Sequence, residues 1–269
     1  MNPWLLAIRP KTLAASVCPV VMGTAMAFGD GVWHWPTATL CLFGALCIQN
    51  GPNLANDYFD FRKGTDTFER IGPTRVSQAG LIKPQTVMIG FILAFLIAGL
   101  ISLKLIERGG WPIAAIGIAS IISGLTYTAG RYALGYIGLG ELFVLIFFGP
   151  VAVAGTYYVQ SLEMNVAILL AGLAPGMISV GILAINNLRD IETDFKSNKR
   201  TLAVRFGRSF AIQEYFIAII FAGLTPMLLY GIMVDHLPIL TASLILFVAI
   251  PLLITVTSRM DGPSLNNAL

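Results

Sequence analysis

Hydrophobic residues in this chain occur in long runs that are separated by short polar or charged stretches. A transmembrane helix needs about 20 predominantly apolar residues, and eight runs approach or reach that length. The pattern therefore predicts eight membrane-spanning helices joined by loops. The predicted spans cover residues 12–28, 36–55, 85–106, 111–129, 138–159, 166–185, 210–232 and 238–256.

The composition indicates a membrane protein and excludes an ordinary soluble domain. Of the 269 residues, 56% are hydrophobic and only 12% are charged, whereas soluble domains carry about 25% charged residues. Eight spans with short loops leave no room for a separate soluble domain. Residues 1–269 are therefore predicted to form one integral membrane domain, an all-α polytopic helical bundle surrounded by lipid. The net charge of +3 is too small to indicate a nucleic-acid partner.

Basic residues are distributed unequally between the two sides of the predicted bundle. Eight crossings place both termini on one side, and 15 of the 17 Lys and Arg residues fall there, against Lys104 and Arg108 on the other side. Loops rich in Lys and Arg stay in the cytoplasm, so the N-terminus and the even-numbered loops are predicted to be cytoplasmic. The run before residue 28 also has the outline of a cleavable signal peptide, an alternative that leaves seven crossings.

The loops after the second and sixth predicted spans are long, and together they hold seven of the 14 acidic residues. Polar side chains line one face of the second helix as it approaches its loop. Gln49, Asn53, Asn56 and Asp60 follow one another in steps of three or four residues, which stacks them on one helix face. Asp57 lies beside this stripe. Binding or catalytic residues are expected here, because function concentrates in such loops.

The sixth predicted helix repeats this arrangement. Asn186, Asp190 and Asp194 follow one another at intervals of four residues, so they also share a helix face. The distance along the chain from Asn56 to Asn186 equals that from Asp60 to Asp190, so the two motifs match in register. With four predicted helices in each part, this constant offset predicts two pseudo-repeated four-helix halves whose acidic helix ends face each other at one membrane surface.

Opposed carboxylates at a membrane surface are suited to binding magnesium and phosphate. Mg²⁺ is usually held by one or two carboxylates together with substrate phosphates. A diphosphate that bridges two such clusters also needs cations against its outer oxygens. Candidates for this role are Lys63, Arg70, Arg75, Arg131, Arg189, Lys196, Lys199 and Arg200. The alternative is that these charges cap helices and face water, but a repeated, face-aligned motif near the membrane boundary favours a binding site.

Four stretches of the sequence resemble a known family. The stretches NLANDYFDFRKGTDTFERIGPTRVSQAGLI (53–82) and NNLRDIETDFKSNKRTLAVRFG (186–207) resemble the UbiA superfamily of intramembrane aromatic prenyltransferases. The opening RPKTL (9–13) and the segment LGYIGLGEL (134–142) are also similar to that group, so the resemblance covers nearly the whole chain. Within the superfamily the sequence is most similar to the 1,4-dihydroxy-2-naphthoate polyprenyltransferases of menaquinone synthesis.

The resemblance implies a fold of nine spans around a central cavity, one span more than the hydrophobic pattern shows. It implies an isoprenyl diphosphate donor, an aromatic acid acceptor and a requirement for Mg²⁺. It also implies a place in the bacterial cytoplasmic membrane, with the active site toward the cytoplasm.

The resemblance also assigns roles to individual positions. Carried over residue by residue, it implies a first metal and diphosphate cluster of Asn56, Asp60 and Asp66, with Asp57 close by, and a second of Asn186, Asp190 and Asp194. The predicted metal ligands are Asp57, Asp60, Asp66, Asp190 and Asp194, of which Asp60, Asp190 and Asp194 are the predicted catalytic residues. The predicted diphosphate-binding residues are Asn56, Lys63, Arg131, Asn186 and Arg189.

The predicted reaction is Mg²⁺-dependent transfer of an isoprenyl chain to 1,4-dihydroxy-2-naphthoate, with loss of the acceptor's carboxylate. One alternative is transfer to 4-hydroxybenzoate or to another quinone or pigment precursor. A second alternative is a cation-coupled transporter, since intramembrane acids and internal repeats also suit that class. A transport pathway needs polar groups near the midplane, where the chain offers little apart from Gln49 and Glu141. The sequence indicates no oligomeric state.

Overall fold

The computed structural model describes residues 2–64, 72–130, 132–233, 237–258 and 265. These residues form thirteen α-helices and one 3₁₀ segment, and no strand occurs among them. The helices are α1 (Pro3–Ile8), α2 (Pro10–Gly29), α3 (Trp35–Lys63), α4 (Pro84–Thr126), α5 (Gly140–Phe147), α6 (Pro150–Ser161), α7 (Val166–Ala171), α8 (Leu173–Arg189), α9 (Ile191–Lys196), α10 (Leu202–Phe206), α11 (Arg208–Met233), α12 (Ile245–Val248) and α13 (Ile250–Thr257), and the 3₁₀ segment (Leu237–Leu244) precedes α12. The predicted all-α fold class is confirmed.

The number of apolar helices differs from the eight predicted spans. Six helical stretches in the described ranges are long and apolar enough to cross a membrane by length and composition. The predicted spans 85–106 and 111–129 count as one stretch because both lie in α4, which is interrupted at Gly110, where φ is 66° and ψ is −154°. The predicted span 36–55 lies in α3, which is not among the six, since polar residues such as Gln49 and Asn50 lower its hydropathy.

The chain divides into two compact units. The first comprises Met1–Phe68, Thr74–Leu134 and Val151–Met164, and the second comprises Glu69–Pro73, Gly135–Pro150 and Asn165–Leu269. The first unit contains the first four predicted spans, and the second contains the last three. The fifth predicted span is divided, because α5 belongs to the second unit and nearly all of α6 to the first. The division therefore falls close to the boundary of the predicted halves.

In the first unit, the core joins the C-terminal half of α3 to the first half of α4. Leu54 on α3 and Val87, Phe91 and Phe95 on α4 are buried together. Val76 from the loop between the two helices belongs to the same core and has no exposed surface. In a bilayer, close van der Waals packing rather than water exclusion holds helices together. This core therefore fixes the loop as well as the end of α3.

In the second unit, the core surrounds the C-terminal half of α8. Ile185 and Leu188 on α8 are buried with Tyr215 and Ile219 on α11 and with Val256 on α13. The contacts hold the last two turns of α8 in a dense apolar environment, where side chains have little room to move. The end of α8 is therefore a rigid platform for the polar residues that follow.

Within the first unit, α2 approaches α6 so closely that only glycine fits at one position. A Cβ atom on Gly23 would lie 2.5 Å from the backbone oxygen of Val153 and 3.0 Å from Cβ of Thr156. Small residues let helix backbones meet in this way in membrane proteins. By contrast, no atom lies within 4 Å of the equivalent position on Gly29, at the end of the same helix.

Gly23→Ala is expected to destabilise the protein, whereas Gly29→Ala, the matched control, leaves stability unchanged. The added methyl at position 23 forces α2 and α6 apart, and overpacking of this kind costs about 1–3 kcal/mol. The thermal unfolding midpoint of the detergent-solubilised protein measures both effects. Equal midpoints for the two variants would show that α2 and α6 do not meet at Gly23.

Candidate functional site

The C-terminal end of α3 carries the first predicted cluster. The helix continues without a break to Lys63 and ends at Gly64, whose φ of 68° is the left-handed conformation common at helix ends. This continuous helix stacks Asn56 and Asp60 one turn apart, as the sequence predicts. Asp57 and Asp60 are only 2% and 6% exposed. Buried carboxylates are costly unless they are paired and hydrogen-bonded. The partners of Asp57 and Asp60 therefore indicate the role of each residue.

Asp60 is paired with an arginine from the loop that follows α3. Arg75 Nη2 lies 3.2 Å from Asp60 Oδ2, and both side chains are almost completely buried. Removing one partner of a buried ion pair typically costs about 3–5 kcal/mol, because the other charge is left uncompensated. A carboxylate has two oxygens and roughly four lone-pair positions. The contact with Arg75 engages one of these oxygens, Oδ2.

Asp57 binds the backbone of the same loop. Its Oδ2 accepts the N–H of Val76 at 2.9 Å, and its Oδ1 accepts the N–H of Ser77 at 2.9 Å. The predicted metal role of Asp57 stays a prediction. Its two hydrogen bonds give it a structural role, because they tie the loop after α3 to the helix.

Two further polar residues of α3 contact other parts of the first unit. Asn53, part of the predicted polar stripe, donates from Nδ2 to the backbone oxygen of Ile8 and to Thr12 Oγ1, each at 3.1 Å. It therefore holds the junction of α1 and α2. Lys63 Nζ donates to the backbone oxygen of Thr128 at 2.7 Å. Partial burial lowers the pKa of Lys63, which lies beyond the predicted span, while the Asp60 carboxylate opposes this shift.

Two of the predicted site residues lie outside the described residues. Asp66, a predicted metal ligand, and Arg131, a predicted diphosphate-binding residue, both fall in the gaps between described ranges. Their assignments therefore remain predictions.

The C-terminal end of α8 carries the second predicted cluster. The sequence predicts one continuous helix face, but α8 ends at Arg189 and α9 begins at Ile191, with Asp190 between them at φ −97° and ψ 8°. The N–H of Asp194 still donates to the oxygen of Asp190 at 2.8 Å. The two aspartates therefore keep the backbone hydrogen bond of an α-helical turn in spite of the break.

Asp190 forms a two-point ion pair with its neighbour in sequence. Arg189 Nε donates to Asp190 Oδ1 at 2.8 Å, and Arg189 Nη2 donates to Asp190 Oδ2 at 2.7 Å. The Arg189 side chain is 3% exposed and that of Asp190 is 13% exposed. Such paired bonds fix the plane of the carboxylate. Asn186 lies one turn earlier and is half-buried, with Nδ2 donating to the backbone oxygen of Ile182 at 3.0 Å.

Asp194 is paired with a lysine from the segment after α9. Lys199 Nζ lies 3.3 Å from Asp194 Oδ1. The same ammonium lies 5.9 Å from the ring centroid of Tyr136, within the range of cation–π attraction. Asp194, Lys199 and Tyr136 therefore form a small group in which a carboxylate, an ammonium and an aromatic face meet.

The loop between α4 and α5 packs against the segment that carries Lys199. The N–H of Arg200 donates to the oxygen of Tyr136 at 2.9 Å, and Arg205 Nη2 donates to the oxygen of Ile137 at 2.8 Å. Gly138 is required at this contact, because its φ is 73° and a Cβ atom there would lie 3.2 Å from the oxygen of Arg200. Gly138 of LGYIGLGEL is therefore explained by the close approach of two backbones.

The structure adds residues that the sequence did not assign to the site. Arg75 was one of several nearby cations in the sequence, and in the described residues its guanidinium reaches Asp60. Glu141, in the first turn of α5, accepts from Asn187 Nδ2 at 2.7 Å, and both residues are buried. The repeat contains a signal for Asn187, because the offset that relates Asp60 to Asp190 places Asn187 at the position equivalent to Asp57.

The chemistry of these residues fits Mg²⁺. Asp60 lies in the last turns of α3 and Asp190 at the end of α8, where the helix dipole is negative and attracts cations. Carboxylate and amide oxygens are the hard ligands that Mg²⁺ prefers. In the part of the chain that the structure describes, no three His, Cys, Asp or Glu residues form a complete metal cluster.

Comparisons with known proteins identify relatives over most of the chain. The UbiA prenyltransferase family matches residues 16–264. The chain is 37% identical over 239 residues to 1,4-dihydroxy-2-naphthoate octaprenyltransferase of Escherichia coli (strain K12), covering 87% of this chain and 77% of that protein. It is 40% identical over 204 residues to the protein of the same name from Mycobacterium tuberculosis, covering 76% and 70%. It is 33% identical over 218 residues to 2-carboxy-1,4-naphthoquinone phytyltransferase of Synechocystis sp., covering 81% and 70%.

Solved structures share the fold. A UbiA homolog from Archaeoglobus fulgidus bound to DMAPP and Mg²⁺ matches with a TM-score of 0.69 at 18% identity, covering 99% of this chain and 90% of that one. The same homolog bound to GPP and Mg²⁺ also gives 0.69, covering 98% and 90%. The family match spans nearly the whole chain, and the three sequence relatives each align with most of it. The chain therefore belongs to the UbiA prenyltransferase family and is an integral membrane prenyltransferase.

Proposed function

We propose that this protein transfers an isoprenyl chain from its diphosphate to the aromatic acceptor 1,4-dihydroxy-2-naphthoate, in menaquinone biosynthesis. Both the E. coli and the M. tuberculosis relatives are named as octaprenyltransferases acting on this acceptor. The observation that carries the proposal is the recurrence, in a chain so similar to them, of an Asp–Arg pair at the end of a helix in each unit. The family match removes the support for a transporter.

In the proposed reaction the acidic residues of each unit hold metal and diphosphate. Mg²⁺ supplies positive charge against the leaving diphosphate, as its presence beside DMAPP and GPP in the A. fulgidus homolog suggests. Asp60, Asp190 and Asp194 present the described carboxylates, and Asp66 is proposed to add a fourth. Asn56 and Asn186 each lie one turn before an acidic residue and offer amide oxygens.

Basic side chains are proposed to bind the outer oxygens of the diphosphate. Arg189 is already fixed by its two bonds to Asp190, so its guanidinium is preorganised to stabilise negative charge as the C–O bond breaks. Lys63 adds a flexible ammonium at the end of α3, and Arg131 is proposed to act with it. No rearrangement of Arg189 is needed at the moment of reaction, which is the main advantage of preorganised charge.

The apolar helices are proposed to protect the reacting carbon. Departure of diphosphate leaves an allylic carbocation, which water would capture unless it is excluded. An acceptor ring carbon then forms the new C–C bond, and the carboxylate of 1,4-dihydroxy-2-naphthoate leaves as CO₂. The Tyr136 ring, near Lys199 and Asp194, offers an aromatic face beside the charged groups. Because both acidic clusters fall in the basic, cytoplasmic loops that the sequence predicts, the active site is proposed to face the cytoplasm of a bacterial cell.

The acceptor can be identified directly from the mass of the product. Purified protein in detergent with Mg²⁺ and an isoprenyl diphosphate is expected to prenylate 1,4-dihydroxy-2-naphthoate and to release ¹³CO₂ from carboxyl-labelled acceptor. A chelator is expected to stop the reaction, and added Mg²⁺ to restore it. Mass spectrometry of product and gas measures both. The alternative acceptor class is indicated if the product is a prenylated 4-hydroxybenzoate that retains its carboxyl group and no naphthoate product forms.

Asp60→Asn and Asp190→Asn are each expected to lower kcat by on the order of 10² or more, because each removes a charge that holds the metal and diphosphate. Asparagine keeps the shape and one oxygen acceptor for Arg75 or Arg189, but it leaves a buried guanidinium without its countercharge, so each variant is also expected to lose stability. Glu192→Gln is the matched control, since Glu192 is an exposed carboxylate two residues from Asp190. Steady-state kinetics with a thermal midpoint for each variant measures the effect. Near-normal turnover in both aspartate variants would remove the metal assignment.

A further inference from the structure

The internal repeat makes Asp57 and Asn187 equivalent positions. Each follows the asparagine of its motif, and the offset between them is the same as that between Asp60 and Asp190. Asp57 is 2% exposed and Asn187 is 6% exposed. Both side chains are thus withdrawn from solvent at the end of a helix, where a polar group needs a hydrogen-bond partner. Their partners indicate what these two positions do.

In the first unit, Asp57 fixes the turn that presents Arg75. Its two oxygens accept the N–H groups of Val76 and Ser77 at 2.9 Å each. Arg75 is the residue immediately before them, and its Nη2 reaches Asp60 one helical turn beyond Asp57. Asp57 thus ties the loop to α3 next to the guanidinium that pairs with Asp60. A loop released from Asp57 loses the constraint that holds Arg75 in place.

In the second unit, Asn187 performs the corresponding role, but its partner is a side chain and not the backbone. Its Nδ2 donates to Glu141 Oε1 at 2.7 Å, and Glu141 is 7% exposed. Glu141 stands at the start of α5, directly after the loop whose Tyr136 ring lies near Lys199. The bond therefore links the end of α8 to the loop that meets the partner of Asp194.

We propose that Asp57 and Asn187 are positioning residues: Asp57 holds the end of α3 against the loop that supplies Arg75, and Asn187 holds the end of α8 against the start of α5, which follows the loop that contacts Lys199. Asp57 acts through Arg75, and Asn187 acts through Glu141 and the loop before it. The inference rests on the proposed function, because the positioned groups are those assigned there to metal and diphosphate. It differs from the sequence prediction in giving Asp57 a role in loop placement in place of metal coordination.

Hydrogen exchange tests the contact of Asp57 without reference to catalysis. In Asp57→Ala, amides in peptides covering residues 72–82 are expected to exchange at least about tenfold faster than in the wild type, because two buried N–H groups lose their acceptors. Thr74→Ala, an exposed neighbour in the same loop, is the control and is expected to exchange as the wild type does. Unchanged exchange in Asp57→Ala overturns the proposal, and this arm remains decisive even if no prenyl transfer is found.

A double-mutant cycle tests whether Asp57 acts through Arg75. Asp57→Ala and Arg75→Gln are each expected to lower kcat/KM for the isoprenyl diphosphate by about tenfold or more, and the double variant is expected to be little worse than either, because coupled residues are not additive. The Mg²⁺ concentration for half-maximal rate is expected to stay at the wild-type value in Asp57→Ala. Additive losses of kcat/KM in the double variant would overturn this role. So would a raised Mg²⁺ requirement in Asp57→Ala, or a lowered thermal midpoint in Asp57→Ala with wild-type kcat/KM.

In the second unit, a conservative substitution of Glu141 tests the positioning role of Asn187. Glu141→Leu removes the acceptor for Asn187 and is expected to lower kcat/KM about tenfold, whereas Glu141→Gln keeps an amide oxygen at that position and is expected to restore most of it. The double variant with Asn187→Leu and Glu141→Leu is expected to have a kcat/KM little below that of Glu141→Leu alone. Equal losses in the Leu and Gln variants would show that the charge of Glu141 matters in itself, and would overturn the positioning role of Asn187.

Discussion

Negative charge at the negative end of a helix is the constraint on which this site depends. Asp60 lies near the C-terminus of α3, and Asp190 follows directly after α8. Carboxylates are disfavoured there, because the unsatisfied carbonyl groups of the last turn already carry partial negative charge. Each position therefore calls for a cation, and Arg75 and Arg189 supply it within the protein. The same field would favour a divalent ion at the proposed metal and diphosphate site.

The packing around each helix end explains how such charge is tolerated. The last turns of α3 and of α8 are held in buried cores of aliphatic and aromatic side chains. A dense core keeps the helix ends from moving away from their partners. It also lowers the local dielectric, which strengthens an ion pair once both charges are present. The apolar bundle thus stabilises the charged site it would otherwise oppose, provided that every carboxylate has its partner.

Much of the fold and part of the site could be predicted from the sequence alone. The hydrophobic runs located the helices, because a span in lipid must satisfy all its backbone groups internally. The four-residue spacing of Asn56 and Asp60 located one polar face, since α3 continues unbroken through both. The interruption at Gly110 falls between the predicted spans 85–106 and 111–129, whereas the break at Asp190 depends on backbone angles, which periodicity does not report. The bonds of Asp57 and of Glu141 join residues far apart in sequence, so no local pattern could pair them with their partners.

The two arginine pairs differ in what is needed to keep them intact. Arg189 and Asp190 are neighbours in the chain, so their bond travels with α8 and survives any rigid displacement of that helix. Arg75 and Asp60 are 15 residues apart and meet only while the loop after α3 is seated. In the first unit the countercharge of Asp60 therefore comes from a loop that Asp57 and the core around Val76 hold against α3. In the second unit the helix that leads into Asp190 carries the countercharge itself.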